Sequence, residues 1–204
     1  MIPRRIIYCW FGKGEKPQEV LDCIKSWKDK MPDWEYLEIN EDNFNVFYNG
    51  YTKKAYLNKK WAFVSDVARL WALYKYGGIY MDTDVIVYKP LDKFLSHHFF
   101  SGFEQPNYPI TATMGAVQGS PLIKEMLNQY IDRRLVLYEK WEDYETNTKI
   151  MSNVLEKYFD RAKEEYQENN NMVIYPQEVF TNRLKTTKEE SYTEHLMLGS
   201  WTKE

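Results

Sequence analysis

Cysteine is nearly absent from this chain of 204 residues: two occur, and neither has a partner at CxxC or metal-ligand spacing. Cys9 and Cys23 therefore read as reduced core thiols, with no disulfide framework and no thiolate-held metal. An excess of basic charge is also missing. Lys and Arg number 27 against 30 Asp and Glu, a net charge of -3, which lacks the positive footprint that a nucleic-acid binder needs to neutralise phosphates. An acidic chain that holds a nucleotide diphosphate must recruit a cation to do so. No apolar run reaches the length of a membrane span, and Ile6 to Phe11, behind Met1-Ile2-Pro3-Arg4-Arg5, is too brief for a signal-peptide core. The expectation is a cytoplasmic chain with at most peripheral membrane contact. Histidine numbers three; His97 and His98 have no carboxylate or cysteine spaced around them and read as loop or strand-edge residues. No internal repeat or linker divides the sequence. One domain over residues 1–204 is expected, in two halves over roughly 1–100 and 101–204.

Aromatic residues are plentiful at 17%, including 17 tyrosines and seven tryptophans. Most must pack the core, but flat amphipathic rings also suit sugar and nucleobase ligands. The most informative stretch is Trp61 to Lys89. It reads as a buried helix, a Gly77-Gly78 stop, and a strand carrying Asp82 and Asp84. Alternation along a strand would put both carboxylates on one side with Thr83 on the other, and paired carboxylates repel unless a cation lies between them. On the helix, Asp66 and Arg69 are three apart and share a face among Phe63, Val64, Val67, Leu70, Trp71 and Leu73. Buried charges must face each other or a polar cleft.

The flanking pattern predicts an α/β fold. Ile6 to Trp10 reads as a central strand opening into a glycine-containing loop, the strand end at which open α/β sheets bind ligands. Pro17 starts a helix whose apolar positions are Val20, Leu21, Ile24 and Trp27, Pro32 closes it, and Asp33 to Asn40 gives a second, parallel strand. Residues 41–58 predict one or two short helices. Val85 to Val87 continues the aspartate-bearing strand, Ile110 to Gln118 reads as another strand, and a helix should run from Pro121 to about Tyr138. Arg133 and Arg134 could serve an anionic acceptor.

Ser65, Asp66, Arg69, Gly77, Gly78, Asp82 and Asp84 in this order resemble glycosyltransferase family 32, the DXD-containing sugar transferases. That family includes initiating mannosyltransferases, α-1,4-galactosyltransferases and capsule enzymes, and is remotely similar to clostridial glucosylating toxins. The resemblance implies a GT-A-like fold: a Rossmann-type nucleotide-binding half, a mixed, mainly parallel central sheet flanked by helices, and the DXD at a strand end. It implies that Trp10 stacks on the base, that Asp66 and Arg69 hold sugar hydroxyls, that Tyr80 contacts the nucleotide sugar, and that Asp82 orients ribose or sugar hydroxyls. Asp84, with Asp82, would hold Mn2+ or Mg2+ on the diphosphate. Ser191 to Trp201 is similar to the family's closing motif, which nominates His195 as a metal ligand and Ser200 and Trp201 as a cover over the diphosphate. Near the position of the family's sugar-contacting asparagine stand Ala112, Thr111 and Thr113, and Met172 to Phe180 resembles the family's last strand.

The implied activity is retaining hexose transfer from a nucleotide sugar to a glycan or lipid-linked saccharide. UDP-galactose or UDP-glucose is favoured over GDP-mannose, and bacterial surface polysaccharide synthesis is the expected setting. The rival readings are a noncatalytic sugar-nucleotide or carbohydrate binder and a haloacid-dehalogenase-like phosphohydrolase, which also places DxD after an apolar strand. In the latter, Ile86 stands where Thr or Val is usual.

Overall fold

A computed structural model describes residues 1–110, 112–138, 145–181 and 191–199. Strand β1 (Arg5–Cys9) is followed by helix α1 (Gln18–Lys30) and β2 (Glu35–Ile39). β1 and β2 pair in parallel, Ile7 opposite Leu37, as the strand-helix-strand order requires. Pro17 caps α1, whose buried face is Val20, Cys23, Ile24 and Trp27. Leu21, expected on that face, is 45% exposed; Cys23 completes the stripe because it lies three residues from Val20, whereas Leu21 is turned about 100° away from it.

Helix α2 (Gly50–Leu57) starts at Asn49, whose side chain accepts from Thr52 N while Thr52 Oγ1 accepts from Asn49 N, a reciprocal cap. Helix α3 (Trp61–Tyr76) is buried over much of its circumference, against α2 on one side and the sheet on another. It stops because Gly77 takes φ 64°, and Gly77 N donates to Leu73 O at 2.9 Å. Gly78, at φ 131°, opens β3 (Gly78–Met81); a Cβ there would lie 2.7 Å from Arg5 O. The diglycine lets α3 turn back tightly enough for β3 to pair in parallel with β1, Ile7 opposite Tyr80.

β4 (Val85–Val87), β5 (Phe99–Gly102), β6 (Thr113–Ala116), α4 (Pro121–Asn128), α5 (Asn147–Leu155), β7 (Gln167–Asn169), β8 (Met172–Tyr175), α6 (Gln177–Phe180) and β9 (Thr193–His195) complete the chain order. The expected strand over Met172 to Phe180 therefore ends at Tyr175, where Pro176 leads into α6. Among the described residues, the main sheet has the order β2-β1-β3-β6-β5-β8-β7. It is mixed: the β2-β1-β3 side is parallel, and β6 runs antiparallel between β3 and β5. β5 and β3 thus point the same way, so their carboxyl ends lie at one edge.

Both faces of the sheet are covered. Ile7, Cys9, Tyr80 and Met114 join one core with α3, α4 and α5; Ile6, Ile79, Met81 and Phe100 join a second core with α1 and β4. Much of the aromatic abundance is packing, as where Phe94 meets Phe100, Tyr175, Phe180 and Tyr192. α4 ends ten residues before Tyr138. Its apolar stripe of Leu122, Ile123, Met126 and Leu127 reaches Tyr130 and is then interrupted by Arg133 and Arg134, leaving Ile131 and Val136 exposed. No helix among the described residues is long and apolar enough to cross a membrane.

Candidate active site

Asp82 and Asp84 are not inside a strand. β3 ends at Met81, and Val85 N donates to Asp82 O at 3.1 Å, closing a turn over Thr83 and Asp84 before β4 begins. A turn, not strand alternation, brings the two carboxylates together. The expected single strand is two, and β4 leaves the main sheet to pair antiparallel with β9, Val85 opposite His195. α1 holds β4 in that position: buried Trp27 Nε1 donates to Val85 O at 2.6 Å, and Ser26 Oγ accepts from Val87 N at 3.0 Å.

The pairing of β4 with β9 carries His195 to the turn. His195 Nε2 lies 3.2 Å from Asp84 Oδ1, and one ligand atom each of Asp82, Asp84 and His195 lie within 4.8 Å of one another. The segment after β9 folds over Asp84: Leu198 N donates to Asp84 Oδ2 at 3.0 Å, and Leu196 N to Asp84 O at 3.0 Å. Burial opposes charge on the imidazole, but the Asp84 and Glu104 carboxylates, with Asp82 beyond, push its pKa up to about 10. Burial likewise opposes charge on Asp84, yet His195 and the backbone donors hold its carboxyl below the usual range.

Beside this cluster, α3 supplies the buried arginine. Arg69 Nη1 is 3.1 Å from Asp82 Oδ1, Nη2 is 3.3 Å from Asp66 Oδ1, and Nε donates to Ser65 O at 3.3 Å. Its guanidinium lies over the Tyr80 ring, 4.6 Å from the centroid. Tyr80 OH donates to the same Asp82 Oδ1 at 2.6 Å. Tyr80, expected as a donor contact, is 2% exposed with its hydroxyl committed to Asp82, so it supports the site from beneath. Burial drives the Asp66 carboxyl up to about 7, against the pull of Arg69 and with the help of Asp82. Arg69, burial notwithstanding, is held well above its ordinary value by Asp82, Tyr80 and Asp66.

Trp10 lies one residue beyond β1, at the sheet edge where Asp82 follows β3; its Nε1 donates to Gly14 O at 2.8 Å, and Lys16 Nζ sits 5.4 Å from the ring centroid. Ser200, Trp201 and Thr111 lie outside the described residues. Ala112 is buried and its carbonyl accepts from Asp82 N at 2.9 Å, so it steadies the turn through its backbone. The Thr113 hydroxyl is buried 3.4 Å from Thr193 Oγ1, tying β6 to β9.

Two residues at the site were not anticipated in these roles. Cys9 is buried in the field of Arg69, Asp82 and Asp66, and burial pushes its thiol up to about 12. Glu104 stands two residues beyond β5 with Oε1 3.3 Å from His195 Nδ1. The available signal was an acid just past an apolar strand, the same rule that singles out Trp10; knowing that β5 ends on the same edge requires the sheet order.

The donor set suits a divalent cation. With metal-ligand bonds of about 2.1 Å, neighbouring ligands of an octahedron stand about 3 Å apart and opposite ones about 4.2 Å. The 3.2 Å between Asp84 and His195 matches a neighbouring pair, and the 4.8 Å limit leaves Asp82 a small adjustment from reach. Asp82 Oδ1 is held by Arg69 and Tyr80, which leaves Oδ2 as its freer ligand atom.

Residues 17–101 match the family described as "Glycosyltransferase sugar-binding region containing DXD motif", a span that takes in Asp66, Arg69, Asp82 and Asp84 but not Trp10 or His195. Inositol phosphoceramide mannosyltransferase 3 of Schizosaccharomyces pombe is 29% identical over 134 residues, which is 62% of this chain and 36% of that protein. The chain thus spans about a third of that relative's length. Among solved structures, a glycosyltransferase involved in the glycosylation of the major capsid of PBCV-1 superposes with a TM-score of 0.57 at 12% identity, covering 98% of this chain and 96% of that one. PaToxG Glycosyltransferase superposes with a TM-score of 0.53 at 17% identity over 76% of this chain and 69% of its own. These likenesses place the sheet and its helices in the GT-A glycosyltransferase fold.

Proposed function

We propose, from the match of residues 17–101 to the DXD-containing glycosyltransferase family, that the chain is a metal-dependent, retaining hexosyltransferase using a nucleotide sugar. The observation that carries this reading is the joining of two clusters through one carboxylate: Asp82 belongs both to the Asp82-Asp84-His195 ligand set and to the Arg69-Asp66 pair. A cation site and a sugar-binding arginine are then contiguous, as the cleavage of a sugar-diphosphate bond requires.

Breaking the anomeric bond leaves negative charge on the diphosphate and an oxocarbenium-like sugar. Asp82, Asp84 and His195 would hold a divalent ion, which would neutralise charge on the leaving group and could lower the barrier by several kcal/mol. Mn2+ fits a set of two carboxylates and one imidazole better than Mg2+, which favours oxygen and water. Arg69 is fixed by Asp66, Asp82 and Tyr80, so its field is in place before the reaction. Asp66, buried and titrating near neutrality, can accept from or donate to a sugar hydroxyl. Trp10, one residue beyond the carboxyl end of β1, would carry the base. The acceptor hydroxyl attacks from the face the diphosphate leaves, which gives retention, and the departing phosphate takes its proton.

The similarity to a protein named as an inositol phosphoceramide mannosyltransferase favours mannose over galactose or glucose, and a glycosylated or lipid-linked acceptor. Incubation with Mn2+ and a panel of GDP-mannose, UDP-galactose and UDP-glucose tests the reading. A transferase releases free GDP or UDP slowly without acceptor and faster with it. Release of no nucleotide would leave a binding protein, and release of inorganic phosphate from simple esters would indicate a phosphohydrolase.

A further inference from the structure

We infer that Glu104 is a positioning residue for the cation site, acting through His195: its carboxylate accepts from the Nδ1–H of the imidazole and thereby aims Nε2 at Asp82 and Asp84. The inference rests on the metal-site reading above and adds a residue that lies outside the DXD turn and outside the matched span.

A neutral imidazole that offers the Nε2 lone pair to a cation must carry its proton on Nδ1. Nδ1 of His195 is buried from solvent and makes no hydrogen bond of good geometry. The atom facing it is Glu104 Oε1 at 3.3 Å, close enough for a charge contact but off the hydrogen-bond direction. A small rotation of the imidazole closes that gap. A buried donor left without an acceptor costs about 1–3 kcal/mol, so the ring has reason to settle with Nδ1 on Glu104 and Nε2 on the aspartates.

Glu104 is itself fixed on several sides. Its Oε2 accepts from Thr148 Oγ1 of α5 at 2.9 Å, its carbonyl accepts from Gln177 Nε2 of α6 at 2.7 Å, and its backbone N donates to Tyr108 O at 3.0 Å. Thr148 leaves Oε1 as the oxygen turned to the histidine. Chain direction explains the meeting: β5 and β3 end at the same sheet edge, so an acid just past β5 and an acid just past β3 flank whatever β9 delivers between them. A carboxylate behind a metal-bound histidine fixes its orientation and raises its basicity, and removal of such a partner weakens metal affinity about 10–100-fold.

The test is a titration of the chain of residues 1–204 with Mn2+ alone, following free Mn2+ by its EPR signal, for wild type, E104A, E104Q, H195A and the E104A/H195A double variant. Urea midpoints are measured alongside. The expected result is about a 10–100-fold weaker Mn2+ Kd in E104A, a smaller loss in E104Q, which keeps an amide oxygen as acceptor, and no further loss when E104A is added to H195A. A purely structural role would instead lower the urea midpoint and weaken Mn2+ equally with and without His195. That equality, or an E104A affinity within twofold of wild type, overturns the inference while leaving the metal site standing. A wild-type chain that binds no Mn2+ overturns the metal reading and this inference together.

Discussion

The burial of Asp66 beside Arg69 makes a quantitative prediction for Asp66→Asn, an isosteric change that removes the titrating group. The folded-state pKa is raised to about 7, against an unfolded value of about 3.9. The folded chain therefore holds this proton more tightly than the unfolded chain does. The stabilisation it brings is complete below the unfolded pKa and lost as pH rises from about 4 to about 7. Integrated over these two values, Asp66 contributes roughly 3 kcal/mol at pH 5 and almost nothing at pH 8. Wild type should thus lose roughly 2–3 kcal/mol across that range relative to Asp66→Asn. His195, also raised, loses stabilisation between about 6.5 and 10, but it does so in both proteins and cancels in the difference. Asp84, which is lowered, titrates below the window. Urea unfolding with EDTA at pH 5, 6, 7 and 8 reads the effect directly. Parallel stability curves for the two proteins would mean that Arg69 keeps Asp66 ionised throughout, and that the ion pair outweighs burial.

Three further outcomes follow from the geometry. Mn2+ must displace the proton His195 shares with Asp84, so calorimetry in buffers of different ionisation enthalpy should find about one proton released per ion, with affinity rising about tenfold per pH unit between 7 and 9; zero release would remove His195 from the ligand set. Gly78→Ala places a methyl 2.7 Å from Arg5 O at φ 131° and should destabilise by about 2 kcal/mol or more in urea, whereas a neutral outcome would show that β1 and β3 can separate freely. Trp27→Phe leaves the buried Val85 carbonyl without its donor and should cost about 2–4 kcal/mol, accompanied by weaker Mn2+ binding if α1 braces the turn as argued; unaltered Mn2+ affinity would separate that brace from the site.

How the site could be read in advance depends on what each feature needs. Asp66 and Arg69 share a face by helical period, and Gly77 and Gly78 mark a stop, so the core of the arrangement follows from local rules. The pairing of Asp82 with Asp84 was anticipated for a reason that does not hold: strand alternation would put them on one side, but a turn closed by Val85 N does so instead. Periodicity could not reveal this break, because Val85 to Val87 is as apolar as a continuing strand and only its partner, β9, differs. His195 was nominated by resemblance alone; its closeness to Asp84 is a consequence of two three-residue strands pairing 110 residues apart (Val85 and His195), a contact no local pattern encodes. Glu104 required the order of strands across the sheet. Tyr80 was named for the nucleotide sugar, and its strand position turns the ring under Arg69.

Anomalous diffraction from crystals of the wild-type chain soaked in Mn2+ with a nucleotide sugar addresses the cation most directly. The account predicts one strong manganese peak bounded by Asp82, Asp84 and His195, with the diphosphate on its open side. A peak elsewhere, or bound nucleotide with no manganese between it and these three residues, would contradict it.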